Sequence, residues 1–477
     1  MSDKTINPTV RHVARVTIQL QTPLHLGSGL PGEFSDADLV YDANGLPAIP
    51  GSSIAGVLRS LHGKDSSEAD DIFGFQKGNA NGQGSRLSIS WACIHSSENL
   101  PIEGLSDPSA IAADPLLRLA RQPSLRDHVR ITHMGVADAE GHGKFDELSL
   151  QIGHRFTFEM ELRGPASQRD ADADKLQKLV GKLAEPGFRL GGKTRRGFGA
   201  VEVQRVISGS FDLANVAERE RYLMHPVSLV QPSPVLEPGL LGKSKDREPF
   251  AKLALKPRGF WMFGGGVDVD VSGKTANWKA SDMAPVRDTV VKWENDTSKP
   301  LENCLIIPGS SIKGAIAHRT AYHFNCLEGR FIDLEAADPE GQLKEYTKNP
   351  AIDELFGSAK DGESGERGHV LIDDSFLQPE ETSTRRIPHV SIDRFTGGAL
   401  DGALFDERPA VGGEIEVTVH LDQPCTYFSK NALEALRRAL SDLAEGRLAL
   451  GAGVGRGNGF FEGTLTFREP LTEKASA

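Results

Sequence analysis

Apolar and polar positions alternate over Arg15-Val-Thr-Ile-Gln-Leu-Gln-Thr22, and a period of two predicts a strand. Pro23-Leu-His-Leu-Gly-Ser-Gly29 follows and reads as a glycine-ended loop. A helical period opens in Ile49-Pro-Gly-Ser-Ser-Ile-Ala-Gly-Val-Leu-Arg59. Pro50 stops the run before it, and Ser52 and Ser53 are residue types that cap a helix start. Alternation returns over Leu87-Ser-Ile-Ser-Trp-Ala92. Two strand-like runs between Val129 and Glu161 flank Gly141-His-Gly-Lys144 and predict a long β-hairpin. Leu176, Leu179, Val180 and Leu183 give an amphipathic helix over Ala173 to Leu183. Leu190-Gly-Gly-Lys-Thr-Arg-Arg-Gly-Phe-Gly199 then enters a strand running to Ile207.

The same order returns after a proline- and glycine-containing stretch at 224–250, which reads as a linker. Gly259-Phe-Trp-Met-Phe-Gly-Gly-Gly266 stands for the first glycine loop. Ile307-Pro-Gly-Ser-Ser-Ile-Lys-Gly314 repeats the helix start, with Ser310 and Ser311 as its cap-type residues. A helix over Ala432 to Leu443 leads to Leu450-Gly-Ala-Gly-Val-Gly-Arg-Gly-Asn-Gly459. The two Pro-Gly-Ser-Ser motifs are 258 residues apart (308 − 50), the hairpin histidines His133 and His389 are 256 apart, and the last loop glycines are 260 apart (459 − 199). Only the Phe-Gly pair strays, 283 apart (356 − 73), which predicts an insertion after the second helix. Near-constant offsets mean an internal duplication. The expected division is a first domain at 1–223, a linker at 224–250 and a second domain at 251–477.

At 477 residues the chain exceeds one hydrophobic core, which agrees with two domains. Four cysteines without CxxC spacing argue against a zinc ribbon or disulfide framework, and no HExxH motif is present. No apolar run reaches membrane-spanning length and Met1 opens a polar segment, so no membrane partner and a cytoplasmic location are expected. The net charge of −12 requires any nucleic-acid interface to sit on local basic strips. Lys193, Arg195 and Arg196 form one strip; Arg385, Arg386, His389 and Arg394 form another; Arg130 and His133 are its thinner counterpart.

A helix start offers free N–H groups to a phosphate, so Ser52, Ser53, Ser310 and Ser311 are candidate phosphate contacts, and RNA contacts if the phosphate is that of a nucleic acid. Lys313, Arg59 and Arg319 follow on those helices. Arg196-Gly197 and Arg456-Gly457 begin the shared Arg-Gly-x-Gly element, where glycine permits close approach and arginine pairs with phosphate. Asp36 and Asp42 are six residues apart, as are Asp282 and Asp288, and each pair precedes a candidate phosphate site. A carboxylate there can serve as general base or Mg²⁺ ligand. Gly187 to Thr194 matches the P-loop spacing, but a helix precedes it and a strand follows, the reverse of what a P-loop needs. Asp268 opens like a calcium loop, but its twelfth position is Lys279.

Taken in order, the glycine loop at 23–29, the acidic loop at Asp36, Gly45 to Ser53, Phe73-Gly74, the hairpin around Asp138 and Arg196-Gly-Phe-Gly199 resemble the RAMP superfamily of CRISPR-associated proteins. The second copy carries Asp282, Ile307 to Gly314, Leu355-Phe-Gly357, Ile392-Asp-Arg-Phe-Thr-Gly397 and Arg456-Gly-Asn-Gly459. The resemblance is to backbone subunits of type III effector complexes, and two fused domains resemble subtype III-D. It implies an α+β fold of two tandem ferredoxin-like, RRM-related domains, each with a protruding hairpin thumb. It implies binding to a guide CRISPR RNA, a complementary target RNA and other effector subunits. It also implies metal-dependent target cleavage by an acidic-loop aspartate, which falls on Asp36 and Asp282. Asp38 competes with Asp36, and Asp38, Asp42 and Asp288 are possible acidic support. Departures are Ala55 where the second copy has Lys313, and Asp138 followed by Ala139 where the second copy has Asp393-Arg394. The alternatives are a non-catalytic structural subunit, a guide-processing endonuclease using His133 and His389, and an assembly scaffold independent of RNA.

Overall fold

The computed structural model describes residues 9–29, 38–63, 66–77, 81–129, 131, 144–239, 248–266, 281–331, 348–358 and 365–468. Each repeat runs strand, helix, strand, strand, helix, strand. In the first, strand Val10–Leu20 lies between strands Arg155–Gly164 and Val201–Asp212, and Leu87–Ile89 pairs on the far side of 155–164. In the second, the order is Val370–Ile372, Ile415–Leu421, Ala251–Pro257, Phe461–Phe467. The two sheets therefore place their elements in the same spatial order, fourth, first, third, second, and every pairing among them is antiparallel.

Strand alternation decides which face is covered. Val16, Ile18 and Leu20 point to the same side as Phe156, Phe158 and Met160, and pack on Ile54 and Leu58 of helix Gly51–Gly63 and on Leu176 and Leu179 of helix Arg169–Lys182. The second core matches it: Leu253 and Leu255 meet Ile312 and Ile316 of helix Gly309–Leu327 and Leu436 and Leu440 of helix Lys430–Ala444. Each such side chain, fully buried, contributes about 1.5–3 kcal/mol. The second helix is 19 residues long against 13 for the first, so part of the expected insertion extends it; residues 332–347 of that insertion lie outside the described residues.

The opposite face of the first sheet is polar and covered. Helix Val216–Leu223 and the stretch beyond it lie across it: Tyr222 donates to Glu161 at 2.7 Å, His225 pairs with Glu159 at 2.9 Å, and Arg15 donates to the carbonyls of Pro226 and Gln231. Val235 and Leu236 pack on Ile207 and Phe211, and Glu237–Pro238 adds to the sheet edge. Residues 224–239, linker-like in composition, are thus part of the first domain's wall. The long hairpin expected over 129–161 divides into two: Ser124–Val129 pairs with Lys144–Ser149 as a separate ribbon, while 155–164 belongs to the core sheet. The second repeat has the same ribbon, Ile387–Ile392 with Ala399–Glu407.

A long hairpin arm, where the first repeat has a short hairpin at 40–48, joins the repeats. Strands Arg287–Glu294 and Thr297–Ile307 form a hairpin turned at Asn295 and Asp296, both at positive φ. The arm lies on the first domain: Val291 N–H donates to the Ile152 carbonyl at 2.9 Å, Trp293 Nε1 to the Gly153 carbonyl at 2.8 Å, and the Arg155 guanidinium sits 4.2 Å from the Trp293 ring. Val290, Cys304 and Ile306 close a small apolar cluster with Ile152. No helix among the described residues is long and apolar enough to cross a membrane.

The glycine of each Pro-Gly-Ser-Ser motif is fixed by packing. A Cβ on Gly51 would stand 2.1 Å from the Ile89 carbonyl oxygen, and one on Gly309 2.4 Å from that of Ile372. Both helices press on the second strand of their sheet through a missing side chain. Gly309→Ala is expected to cost about 1–3 kcal/mol in denaturant unfolding. Gly314→Ala, in open space on the same helix, should gain about 0.5–1 kcal/mol. Acid provides a second test. Burial pushes His95 and His128 down to about 4 and His154 to about 3, and both ring nitrogens of His154 find no hydrogen-bond partner among the described residues. The unfolded chain takes up these protons near pH 6.5 and the folded chain does not, so stability present above pH 6.5 falls as the pH drops toward 4. His154→Leu should lose less stability than the parent across that window, followed by thermal unfolding at pH 7, 5.5 and 4.5.

Candidate nucleic-acid interface

The serines of the repeated motif lie inside their helices. Helices begin at Gly51 and Gly309; Pro308 is the capping residue of the second, and no side chain caps it. Ser53 and Ser311 donate their N–H groups back to the Pro50 and Pro308 carbonyls at 2.9 and 3.0 Å. Ser52 and Ser311 are exposed, while Ser53 and Ser310 are half-buried. The expected cap role is corrected: proline already sets the extended backbone that a cap residue supplies. The second helix start is also occupied. Gly309 N–H donates to Asp374 Oδ1 at 2.9 Å, so a carboxylate of the protein holds the positive end. In the first repeat the matching chain position is Trp91, half exposed beside Gly51.

Three cations expected at RNA are engaged within the protein. Arg59 binds Asp70 at 2.8 Å and the Gly74 carbonyl at 2.7 Å. Arg319 pairs with Asp442 at 2.5 Å, alongside His323 at 2.7 Å. Lys313 donates to the carbonyls of Arg195 and Val370 at 2.9 and 2.8 Å, and burial, followed by the nearby Arg195 and Arg189 charges, pushes it down to about 8.

The first glycine loop docks on the second domain. Arg195 pairs with Asp422 at 2.7 Å, and burial lowers Arg195 to about 10. Arg189 pairs with Asp373 at 2.5 Å. Arg126, from the first ribbon, lies between Asp374 and Asp288 and is almost fully buried with both. Gly197, at φ 98°, brings the loop backbone against Ile372 and Asp374, where a Cβ would be 2.9 Å from a carbonyl oxygen. Lys193 turns to Glu147 at 2.5 Å within its own domain. Arg196 ends the same short turn. In these contacts the first domain supplies cations (Arg126, Arg189, Arg195) and the second supplies anions (Asp288, Asp373, Asp374, Asp422). Of the strip Lys193, Arg195 and Arg196, Arg195 thus joins the two domains and Lys193 is held within its own.

The acidic loops differ in what can be said of them. Asp36 lies outside the described residues, as do Arg130 and His133. Asp38 accepts from Leu39 N–H at 2.8 Å. Asp42 closes a turn, accepting from Asn44 N–H and Leu46 N–H at 2.8 and 2.9 Å. Asp288 accepts from Ser124 at 2.5 Å and faces Arg126. Asp42 thus holds a turn and Asp288 the interdomain contact. Asp282 is exposed at the root of the second ribbon. Its Oδ2 accepts from Asp406 N–H at 3.0 Å, and its own N–H donates to Asp406 Oδ1 at 3.2 Å. Arg386 Nε donates to Asp406 Oδ2 at 2.8 Å, and that contact first of all holds the Asp406 carboxyl below the usual carboxylate range. Next to it, buried Glu407 faces Arg456 at 2.5 Å and His389 at 3.0 Å, and His389 stacks on Phe405. Ribbon, acidic loop and second glycine loop therefore meet at one place. Arg385 and Arg394 stay exposed near the root and at the tip, Gly457 at φ 90° turns the exposed glycine loop, and Phe395 at the tip is fully exposed.

The sequence matches the profile of the RAMP superfamily over residues 17–202 and 262–462, the two repeats just described and most of the chain. The chain belongs to the RAMP superfamily. Among solved structures, one match is to a chain in a cryo-EM structure of a type III-B Cmr-beta complex bound to cognate target RNA. It shares 17% identity at a TM-score of 0.29 and covers 42% of this chain and 60% of that one. Among curated proteins, none matches. The family assignment rests on the profile match alone.

Within this RAMP chain the ribbon roots carry a repeated signal that motif reading missed. Phe145-Asp-Glu147 recurs as Phe405-Asp-Glu407, 260 residues on, the offset of Arg196 and Arg456. Register places His128 opposite Phe145 as it places His389 opposite Phe405, so His128 is the counterpart of His389, and the pairing of His133 with His389 is corrected. Among the described residues no three Asp, Glu, His or Cys side chains gather to hold a metal ion. The interdomain contact gives a stability test. Arg126→Ala leaves Asp374 buried without its cation and should cost about 3–5 kcal/mol in denaturant unfolding of the full chain. Arg258→Ala removes a pair with Glu462 in which both partners are half exposed, and should change stability by less than about 1 kcal/mol.

Proposed function

We propose that this RAMP protein is a backbone subunit of a type III CRISPR effector complex, resembling the fused subunits of subtype III-D. It binds the guide CRISPR RNA along two ferredoxin-like, RRM-related domains and cuts complementary target RNA beside the second ribbon. The ribbons act as thumbs that part guide and target, and the complex works in the cytoplasm. One observation carries this reading: Asp282 is exposed and rigidly held where thumb, acidic loop and glycine loop meet. Support for the RNA path comes from the exposed Arg385, Arg394 and Phe395 on the same thumb, a pairing of cations with an aromatic face that suits phosphate and base. The covered outer face of the first sheet favours a path along loops and thumbs over one across that sheet.

The cut is written as attack of a target ribose 2′-OH on its own 3′ phosphate, with the 5′ oxygen of the next nucleotide leaving. Asp282 would orient the hydroxyl or take its proton. A divalent cation fits this donor set only in part. Asp406 is tied to Arg386 and Glu407 to Arg456, so Asp282 would offer Mg²⁺ a single carboxylate, the remaining ligands coming from phosphate and water. Bound there, the ion would neutralise charge on the phosphate. Asp36 is the matching candidate of the first domain.

A second reading, a non-catalytic structural subunit, is favoured by the cations expected at RNA that join the domains instead, Arg195 and Lys313. Cleavage by the assembled complex separates the two. Asp282→Ala is expected to slow one cut at least about 100-fold while target binding stays within twofold, and Asp36→Ala to act on a different cut. Unchanged product patterns in both variants and in their combination would leave the structural reading.

A further inference from the structure

Asp282 is not held by its own loop. Its loop, Ser281-Asp282-Met283, runs parallel to the outgoing thumb strand: Met283 N–H donates to the Asp406 carbonyl at 3.2 Å, and Arg408 N–H to the Met283 carbonyl at 2.9 Å. The side chains continue the pairing. The Asp406 amide fixes one oxygen of Asp282, the Asp406 carboxylate fixes the Asp282 amide, and Arg386, immediately before the incoming thumb strand, fixes the Asp406 carboxylate. Three segments thereby set the direction of one exposed acid. A rigid hydrogen-bonded frame around a reacting group is what precise alignment requires, and displacement by about 1 Å can cost about 100-fold in rate.

The first domain shows that this frame is not a fixed part of the repeat. Asp146 stands at the register of Asp406, and Glu147 at that of Glu407. The position of Arg386, one residue before the one opposite the glutamate, is taken in the first ribbon by half-exposed Leu125. The residue opposite the aspartate is Asp127 there and Pro388 in the second ribbon. The arginine that tightens the frame belongs to the second domain alone.

We propose that Asp406, locked by Arg386, is a positioning residue that aims Asp282 for the cut at the second thumb. The claim rests on the proposed function of Asp282 and goes beyond it. Asp406 touches no target atom in this account; it acts through the Asp282 amide and through its own amide on the Asp282 carboxylate.

The test is single-turnover cleavage by the assembled complex, with target binding measured in parallel. Asp406→Ala should lower the rate constant of the cut assigned to Asp282 by about 10- to 100-fold with target affinity within twofold. Asp406→Asn keeps an oxygen to accept from the Asp282 amide and should recover to within about threefold of the parent. Arg386→Ala should fall between the two. Parental rates in Asp406→Ala, with Asp282→Ala inactive, would overturn the positioning claim and leave the proposed function standing. Equal losses in Asp406→Ala and Asp406→Asn, accompanied by weaker target binding, would reduce Asp406 to a structural role and also overturn it. A full-rate cut in Asp282→Ala would remove the proposed function and this claim together.

Discussion

Asp374 ties three parts of this molecule together. It is almost fully buried, and burial pushes its carboxyl up, against the pull of Arg126 and of the Gly309 amide. Its two oxygens serve two different elements. Oδ1 takes the first free N–H of the second repeat's leading helix, and Oδ2 takes the guanidinium of Arg126 from the first repeat's ribbon. A helix start, a strand end and the neighbouring domain are fixed at one carboxylate. An isolated charge at that depth is costly, so the site holds only while both partners are present.

The surrounding charges obey a simple division. In the ion pairs that cross between the domains, the cations come from the first domain and the anions from the second. Asp422 adds partners of its own domain: burial raises its carboxyl, but Arg195 from the first domain, then Arg367 and His369 from the second, outweigh burial and hold it below the usual range. Two copies of an ancestral repeat could dock in either order, or dock onto copies of themselves. The division leaves one favoured order. The first repeat has Ser90 and Trp91 where the second has Asp373 and Asp374, and the second has Ala449, Gly455 and Ile387 where the first has Arg189, Arg195 and Arg126. The hairpin arm at 287–307 adds hydrogen bonds and a small apolar cluster to the same contact.

Much of this was legible in the sequence, and the misses have physical causes. Strand and helix periods found both cores, because Val16, Ile18 and Leu20, or Leu176 and Leu179, bury one face each. The arm left a trace that offsets alone did not interpret: acid and helix start are 14 residues apart in the first copy (50 − 36) and 26 in the second (308 − 282). The extra 12 residues lengthen the short hairpin at 40–48 of the first copy into the arm. Motif reading assigned Pro-Gly-Ser-Ser to phosphate by its serines, whereas Gly51 and Gly309 are the members that packing dictates. Lys313 and Arg195 looked like RNA contacts because charge is visible in a sequence and burial is not. The repeated Phe-Asp-Glu at the ribbon roots was readable, but only pairing register shows that it faces the acidic loop.

The central claim is that this RAMP chain is the RNA-bearing backbone of an effector complex. Sequencing the RNA that co-purifies with the chain from cells with an active CRISPR array tests it most directly. The account predicts RNAs of narrow length range that begin in repeat sequence and continue into spacer sequence, at near-stoichiometric occupancy. Recovery of no RNA, or of cellular transcripts in proportion to their abundance, would contradict it.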